Sequence, residues 1–227
     1  PKNVFEMDNI FYNCTGNIRL SNWELPRLRY FNPNFFHKSH ILKNNPQFVS
    51  NIIENIYKKY TSTPISQEGL YDIISIYNHY SVENHNDVVC ETLVSIIENL
   101  DVSKITYLDY LFKNCVFQYL DLSKWNTSNV ESMDQAFYMC EAEYINLSTW
   151  DVSKVKRMVK TFFYSDFDTD LSNWDISNVE YTTDMFYGSS IPPEKYPKNF
   201  KIDETNKSTE ISNSVKRFIL KEIMGMV

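Results

Sequence analysis

From residue 100 onward the apolar positions recur with a long period. Trp125, Trp150 and Trp174 stand 25 and 24 residues apart, and each closes the same phrase: LSKW, LSTW, LSNW. Leu122, Leu147 and Leu171 precede them, and NTSNV, DVSKV and DISNV follow. Met133, Met158 and Thr182 then align, as do Phe137, Phe162 and Phe186. Cys115 and Cys140 share a register, each three residues after Phe112 or Phe137, and an earlier copy runs through Val4, Met7, Phe11, Cys14, Leu20 and Trp23. A fixed period of this kind marks an array of stacked units, each burying the next one's apolar face.

Within one copy the spacing changes. Phe117, Leu120, Leu122 and Trp125 follow the L-x-x-L-x-L pattern of a leucine-rich repeat, which predicts a short strand around Tyr119–Leu122. Val130, Met133 and Phe137 fall at i, i+3 and i+7, the stripe of a helix. Ser128 and Glu131 have the S-x-x-E spacing of a capping box; Ser177 and Glu180 repeat it, while Ser153 meets Lys156 instead. Each repeat is thus expected to be strand, turn and short helix. The expected ladder residues are Trp23, Trp125, Trp150, Trp174, Leu122, Leu147, Leu171, Phe137, Phe162, Cys115 and Cys140.

The phrases LSKWNTSNVESMDQAFYMC and LSTWDVSKVKRMVKTFFYS resemble BspA-type leucine-rich repeats of bacterial surface antigens, with relatives in protist surface proteins and large DNA viruses. The resemblance covers Val4–Ser39 and about Leu100–Ser190. It implies a right-handed solenoid used for adhesion or protein binding, without catalysis, at a cell surface or associated with a virus.

A helical block interrupts the array. Val49, Ile52, Ile53, Ile56, Tyr57 and Tyr60 form one stripe, with Asn45 as N-cap and Pro46 at the first helical position. A second helix is expected after Ser66 (Leu70, Ile73, Ile74, Tyr77) and a third after Asn86 (Val89, Leu93, Ile96, Ile97). IPPEKYP breaks the array, and Ser212–Met224 reads as an amphipathic helix able to cap it. The opening at Val4, mid-repeat, predicts either preceding chain or a partner over that edge. The expected fold is therefore α/β: a leucine-rich-repeat-like solenoid interrupted by a small three-helix insertion, with a C-terminal capping helix. Its divisions are 1–40 and 100–190 for the repeats, 41–99 for the insertion, and 191–227 for linker and cap.

Composition narrows the function. A chain of 227 residues, 43% hydrophobic and 15% aromatic, is built to bury a core, and no apolar run is long enough to span a bilayer. Four glycines are too few for a phosphate-cradling loop. The net charge is −7, and residues 100–190 hold 14 acids against 7 bases. That balance disfavours nucleic acid and favours a basic or neutral partner surface, and a solvated acidic exterior that serves solubility alone is an equally fair reading.

Candidate chemistry is sparse. Cys14, Cys115 and Cys140 could bridge or ligate, but beside Phe and Met they read as small buried hydrophobes. His37 and His40 form an HxxH pair, and His79 and His85 lie in the insertion, with no further zinc spacing nearby. Asp166, Asp168 and Asp170 alternate without the glycine and terminal glutamate of a calcium loop. No catalytic residue, cofactor or metal site is expected. The expected function is a non-catalytic protein-binding or adhesion module, with the insertion as the specificity element. The alternative is a structural subunit of a larger, possibly viral, assembly. The oligomeric state stays open.

Overall fold

The computed structural model describes residues 63–83 and 87–201. Two compact units divide the chain between Lys104 and Ile105. The first copy of the repeat with Trp23 and Cys14, the first expected insertion helix, His37, His40 and His85, and the expected helix at Ser212–Met224 all lie outside the described residues.

In the first unit, α1 (Gln67–Glu83) and α2 (Asp87–Glu98) pack together. Ser66 caps α1: its Oγ accepts the Gly69 N–H at 3.1 Å and its carbonyl accepts the Leu70 N–H at 3.0 Å. The buried stripe of α1 is Leu70, Ile73, Ile74 and Tyr77; that of α2 is Leu93, Ile96 and Ile97. Ile65 is also buried, and its N–H donates to the Asp101 carbonyl at 2.8 Å. Among the described residues no helix is long and apolar enough to cross a membrane.

The second unit stacks its sequence copies in parallel. β1 (Tyr119–Asp121), β2 (Glu141–Asn146) and β3 (Asp166–Asp168) form one sheet in that order. Tyr119 pairs with Tyr144, and Tyr144 with Asp168. Glu141 pairs with Asp166, so three steps along β2 meet two along β3. This irregularity absorbs the one-residue difference between the two tryptophan spacings. Single bridges link Tyr107, Ser132, Arg157 and Tyr181 in a second column.

The expected fold requires correction. The described residues form two α-helices and an open sheet of three short parallel strands. This is neither a leucine-rich-repeat-like solenoid nor a three-helix insertion. The strand–turn–helix unit fails because the post-tryptophan segments are not helical. Residues 108–115, 133–140 and 158–165 instead make consecutive tight turns. Tyr110, Gln135, Lys160 and Asp184 have φ of 62°, 57°, 55° and 55°. Four residues on, Asn114, Met139, Tyr164 and Gly188 return to left-handed values of 59°, 52°, 50° and 70°.

The N–H groups alternate between two destinations. Ala136, Tyr138 and Cys140 donate three residues back, at 3.1 Å each. Met133, Gln135, Phe137 and Met139 donate to Arg157, Val159, Thr161 and Phe163 of the next copy, at 2.8–2.9 Å. The neighbouring copy thus takes the bonds that a helix would keep for itself. The capping box is absent for the same reason: Ser128 Oγ donates to Asn126 Oδ1 at 2.7 Å, and the Glu131 N–H donates to Thr106 of the preceding copy at 2.8 Å.

The expected C-terminal capping helix has a different counterpart within the described range. Phe186 stacks on Tyr196 at 3.8 Å and meets Phe200 edge-on at 5.0 Å. A 3-10 turn at Pro193–Lys195 delivers these rings, and Leu171 N–H donates to the Lys195 carbonyl at 2.9 Å. The proline-rich segment thus covers the last copy.

Candidate functional site

The interior of the repeat stack is a pair of aromatic columns. Trp125, Trp150 and Trp174 lie parallel at 6.0 and 6.2 Å. Each later indole N–H donates to the leucine carbonyl of the copy before: Trp150 to Leu122 at 3.0 Å, Trp174 to Leu147 at 3.2 Å. Phe112, Phe137, Phe162 and Phe186 stack at 5.2, 5.4 and 5.2 Å. Leu122, Leu147 and Leu171 are buried beside them.

Cys115 and Cys140 lie in this interior as free thiols. Burial pushes the Cys115 thiol up to about 12. Burial also raises Cys140, with Cys115 and Glu141 adding to it. Both therefore stay protonated at neutral pH, whereas nucleophilic attack and metal ligation need the thiolate. Among the described residues no group of three or more His, Cys, Asp or Glu could hold a metal ion. In the Asp166–Asp170 stretch, Asp170 Oδ1 accepts the Ser172 N–H at 2.9 Å and Asp168 meets Lys195 at 2.5 Å.

Polar corners recur twice per copy. Asp101, Asp121, Asp151, Asp170 and Asp175 each accept the backbone N–H of a serine two residues on, at 2.9–3.0 Å. Asn126 and Asn146 do the same at 3.2 Å. These are Asx turns. The serine hydrogen bonds hold Asp101, Asp151, Asp170 and Asp175 below the usual carboxylate range. At Asp121, burial opposes the shift most strongly, but the Ser123 bonds prevail and the carboxyl is also lowered.

The outside of the stack differs between its turn side and its sheet side. On the turn side, charges meet partners from neighbouring copies. Asp109 Oδ1 accepts the Asp134 N–H at 2.8 Å, and Asp134 Oδ1 accepts the Val159 N–H at 2.8 Å. Arg157 Nε donates to Asp134 Oδ2 at 2.8 Å, and the guanidinium lies 4.8 Å from the Tyr181 ring centre. Lys113 stands over Tyr138 at 4.8 Å and Lys160 over Phe163 at 5.1 Å. Tyr138, Phe163 and Tyr187 form a half-buried stack beneath these cations.

The sheet side carries five carboxylates, Asp121, Glu141, Glu143, Asp166 and Asp168, and its strands contain no lysine or arginine. Two tyrosines from paired strand positions rise among them: Tyr119 is 56% exposed and Tyr144 37%. The Tyr119 hydroxyl donates to Glu143, which raises its pKa. Sequence reasoning missed these tyrosines. The signal was present, because Tyr119 and Tyr144 are 25 residues apart and each precedes a buried strand residue, Leu120 or Ile145.

No curated protein and no solved structure matches this chain. A family model matches residues 53–166 and again residues 80–200, overlapping as an array of near-equivalent copies allows. Because those matches together span well over half of the sequence, the chain belongs to the family described as Mycoplasma protein of unknown function, DUF285.

Proposed function

We propose that this chain is a non-catalytic protein-binding module whose stacked repeats present an adhesive or scaffolding surface to another protein. The observation that carries this reading is the set of tyrosines left exposed on a cross-bonded frame. Tyr107, Tyr110, Tyr119 and Tyr181 are 49%, 51%, 56% and 49% exposed. Tyrosine combines a large apolar ring with a hydroxyl and loses little rotamer entropy on contact, so it is enriched where proteins meet. The backbone beneath is held by hydrogen bonds from copy to copy, which lowers the ordering cost of binding. The likeness of the repeats to the BspA type, used in bacterial surface antigens, supports the same reading.

The test is quantitative retention of partner protein on the immobilised chain, beside Tyr119→Ser/Tyr144→Ser and Tyr107→Ser/Tyr181→Ser. Interface tyrosines of this kind contribute about 2 kcal/mol or more when central. Retention that falls at least tenfold in one folded double variant supports the module. Equal retention by all three chains, or retention of nothing by the intact chain, overturns it.

A further inference from the structure

We propose that the outer face of the β1–β2–β3 sheet is a docking surface for an extended, lysine- or arginine-bearing segment of a partner protein. This rests on the protein-binding reading and assigns it a side and a partner chemistry. Charge complementarity comes first. The strands hold carboxylates without a single base, whereas the turn side places Arg157, Lys113 and Lys160 against its own acids and aromatic rings. On the sheet side a cationic partner therefore meets five carboxylates carried by strands that hold no base.

The chain itself supplies an example of the guest. Lys195, 27 residues along from Asp168, reaches back to that carboxylate at 2.5 Å. The hydrogen bond to Asp168 favours its charged form most, with the charges of Asp168 and Asp170 adding to it against desolvation. One end of the face thus already receives a lysine beside a tyrosine and two carboxylates. The row that holds Asp168 continues through Tyr144 to Tyr119, and the next row pairs Asp121 with Asn146.

Geometry favours an extended guest. Outward positions along a strand recur every ~6.8 Å, the interval between alternate side chains of an extended peptide. A cation at each second residue can therefore meet successive rows, gaining carboxylate contacts and the faces of Tyr119 and Tyr144.

The probe is a labelled short peptide of alternating lysine and threonine, with a glutamate–threonine counterpart, titrated against the full chain by fluorescence anisotropy. Asp121→Asn/Glu143→Gln is compared with Glu131→Gln/Glu180→Gln, which removes equal charge from exposed positions outside the sheet. Asparagine keeps the Asx turn at residue 121, as Asn126 and Asn146 already do in this chain. Melting curves establish that both variants fold. The expected result is binding of the lysine peptide alone, weakened by salt and by about tenfold or more in the sheet variant, with the control within about twofold. No binding of the lysine peptide, or equal loss in both variants, overturns the proposal. If tyrosine-dependent retention of a partner persists in that case, the protein-binding reading stands without this assignment; if it is also absent, both fall.

Discussion

α1 and the turns after each tryptophan carry the same apolar code and adopt different structures. Leu70, Ile73, Ile74 and Tyr77 are buried at i, i+3, i+4 and i+7, and they belong to a helix. Met133, Ala136, Phe137 and Cys140 are buried at the same spacing, yet their backbone turns twice through left-handed residues. The pattern specifies which side chains face inward. It does not specify where the N–H groups go. In α1 they are satisfied within the segment, starting from the Ser66 cap. In the turns every second one is satisfied by the next copy. Isolated, such a segment lacks those acceptors, so its conformation is a property of the stack.

The largest test of that dependence empties a column. Trp150→Ala removes a ring stacked on two neighbours and a donor to the Leu122 carbonyl, and should cost about 3–5 kcal/mol. Thermal unfolding should show a clear drop in melting temperature. An unchanged melt would mean that the columns do not hold the stack.

Gly188 comes next. Its φ is 70°, and a Cβ there would lie 2.5 Å from the Tyr164 ring. Gly188→Ala should cost about 1–3 kcal/mol in denaturant unfolding. Adding Tyr164→Ala should recover the steric part and leave the backbone part.

A glycine scan separates the two regions by sign. Gln135→Gly relieves a left-handed residue and should stabilise by up to about 1 kcal/mol. Ser75→Gly, at an exposed position inside α1, should destabilise by about 0.5–1 kcal/mol. Loss of stability in both, measured by denaturant midpoint, would contradict the turn geometry.

The smallest effect is acid sensitivity of the corners. Asp151, Asp170 and Asp175 have lowered native pKa values, so their contribution is complete above the ordinary aspartate value of about 3.9. It is lost as pH falls through the lowered values. Asp151→Asn should therefore flatten the acid limb of the stability profile while leaving neutral stability nearly unchanged, read by tryptophan fluorescence.

Much of the molecule was legible in its residues, for local reasons. Ser66 before an apolar stripe marks the start of α1, and its Oγ makes the capping bond. The aligned tryptophans and phenylalanines name the columns, because period alone brings equivalent positions into register. The left-handed turns were not legible. Of the eight described residues in that conformation only Gly188 is glycine, and Tyr110, Gln135, Lys160 and Tyr164 carry no signature of it. The covering of the last copy was not legible either: the three prolines of IPPEKYP mark a break, but nothing in their spacing shows that the same segment brings Tyr196 and Phe200 onto Phe186.

The sequence by itself determined which residues lie inside the repeats, how far apart the copies fall, and that the net negative charge falls in residues 100–190. Only the tertiary structure decided that the post-tryptophan segments turn rather than coil into helices, since their acceptors belong to a copy about 25 residues away. It also decided which acids share a face with Tyr119 and Tyr144, because pairing between strands, not order along the chain, brings them together.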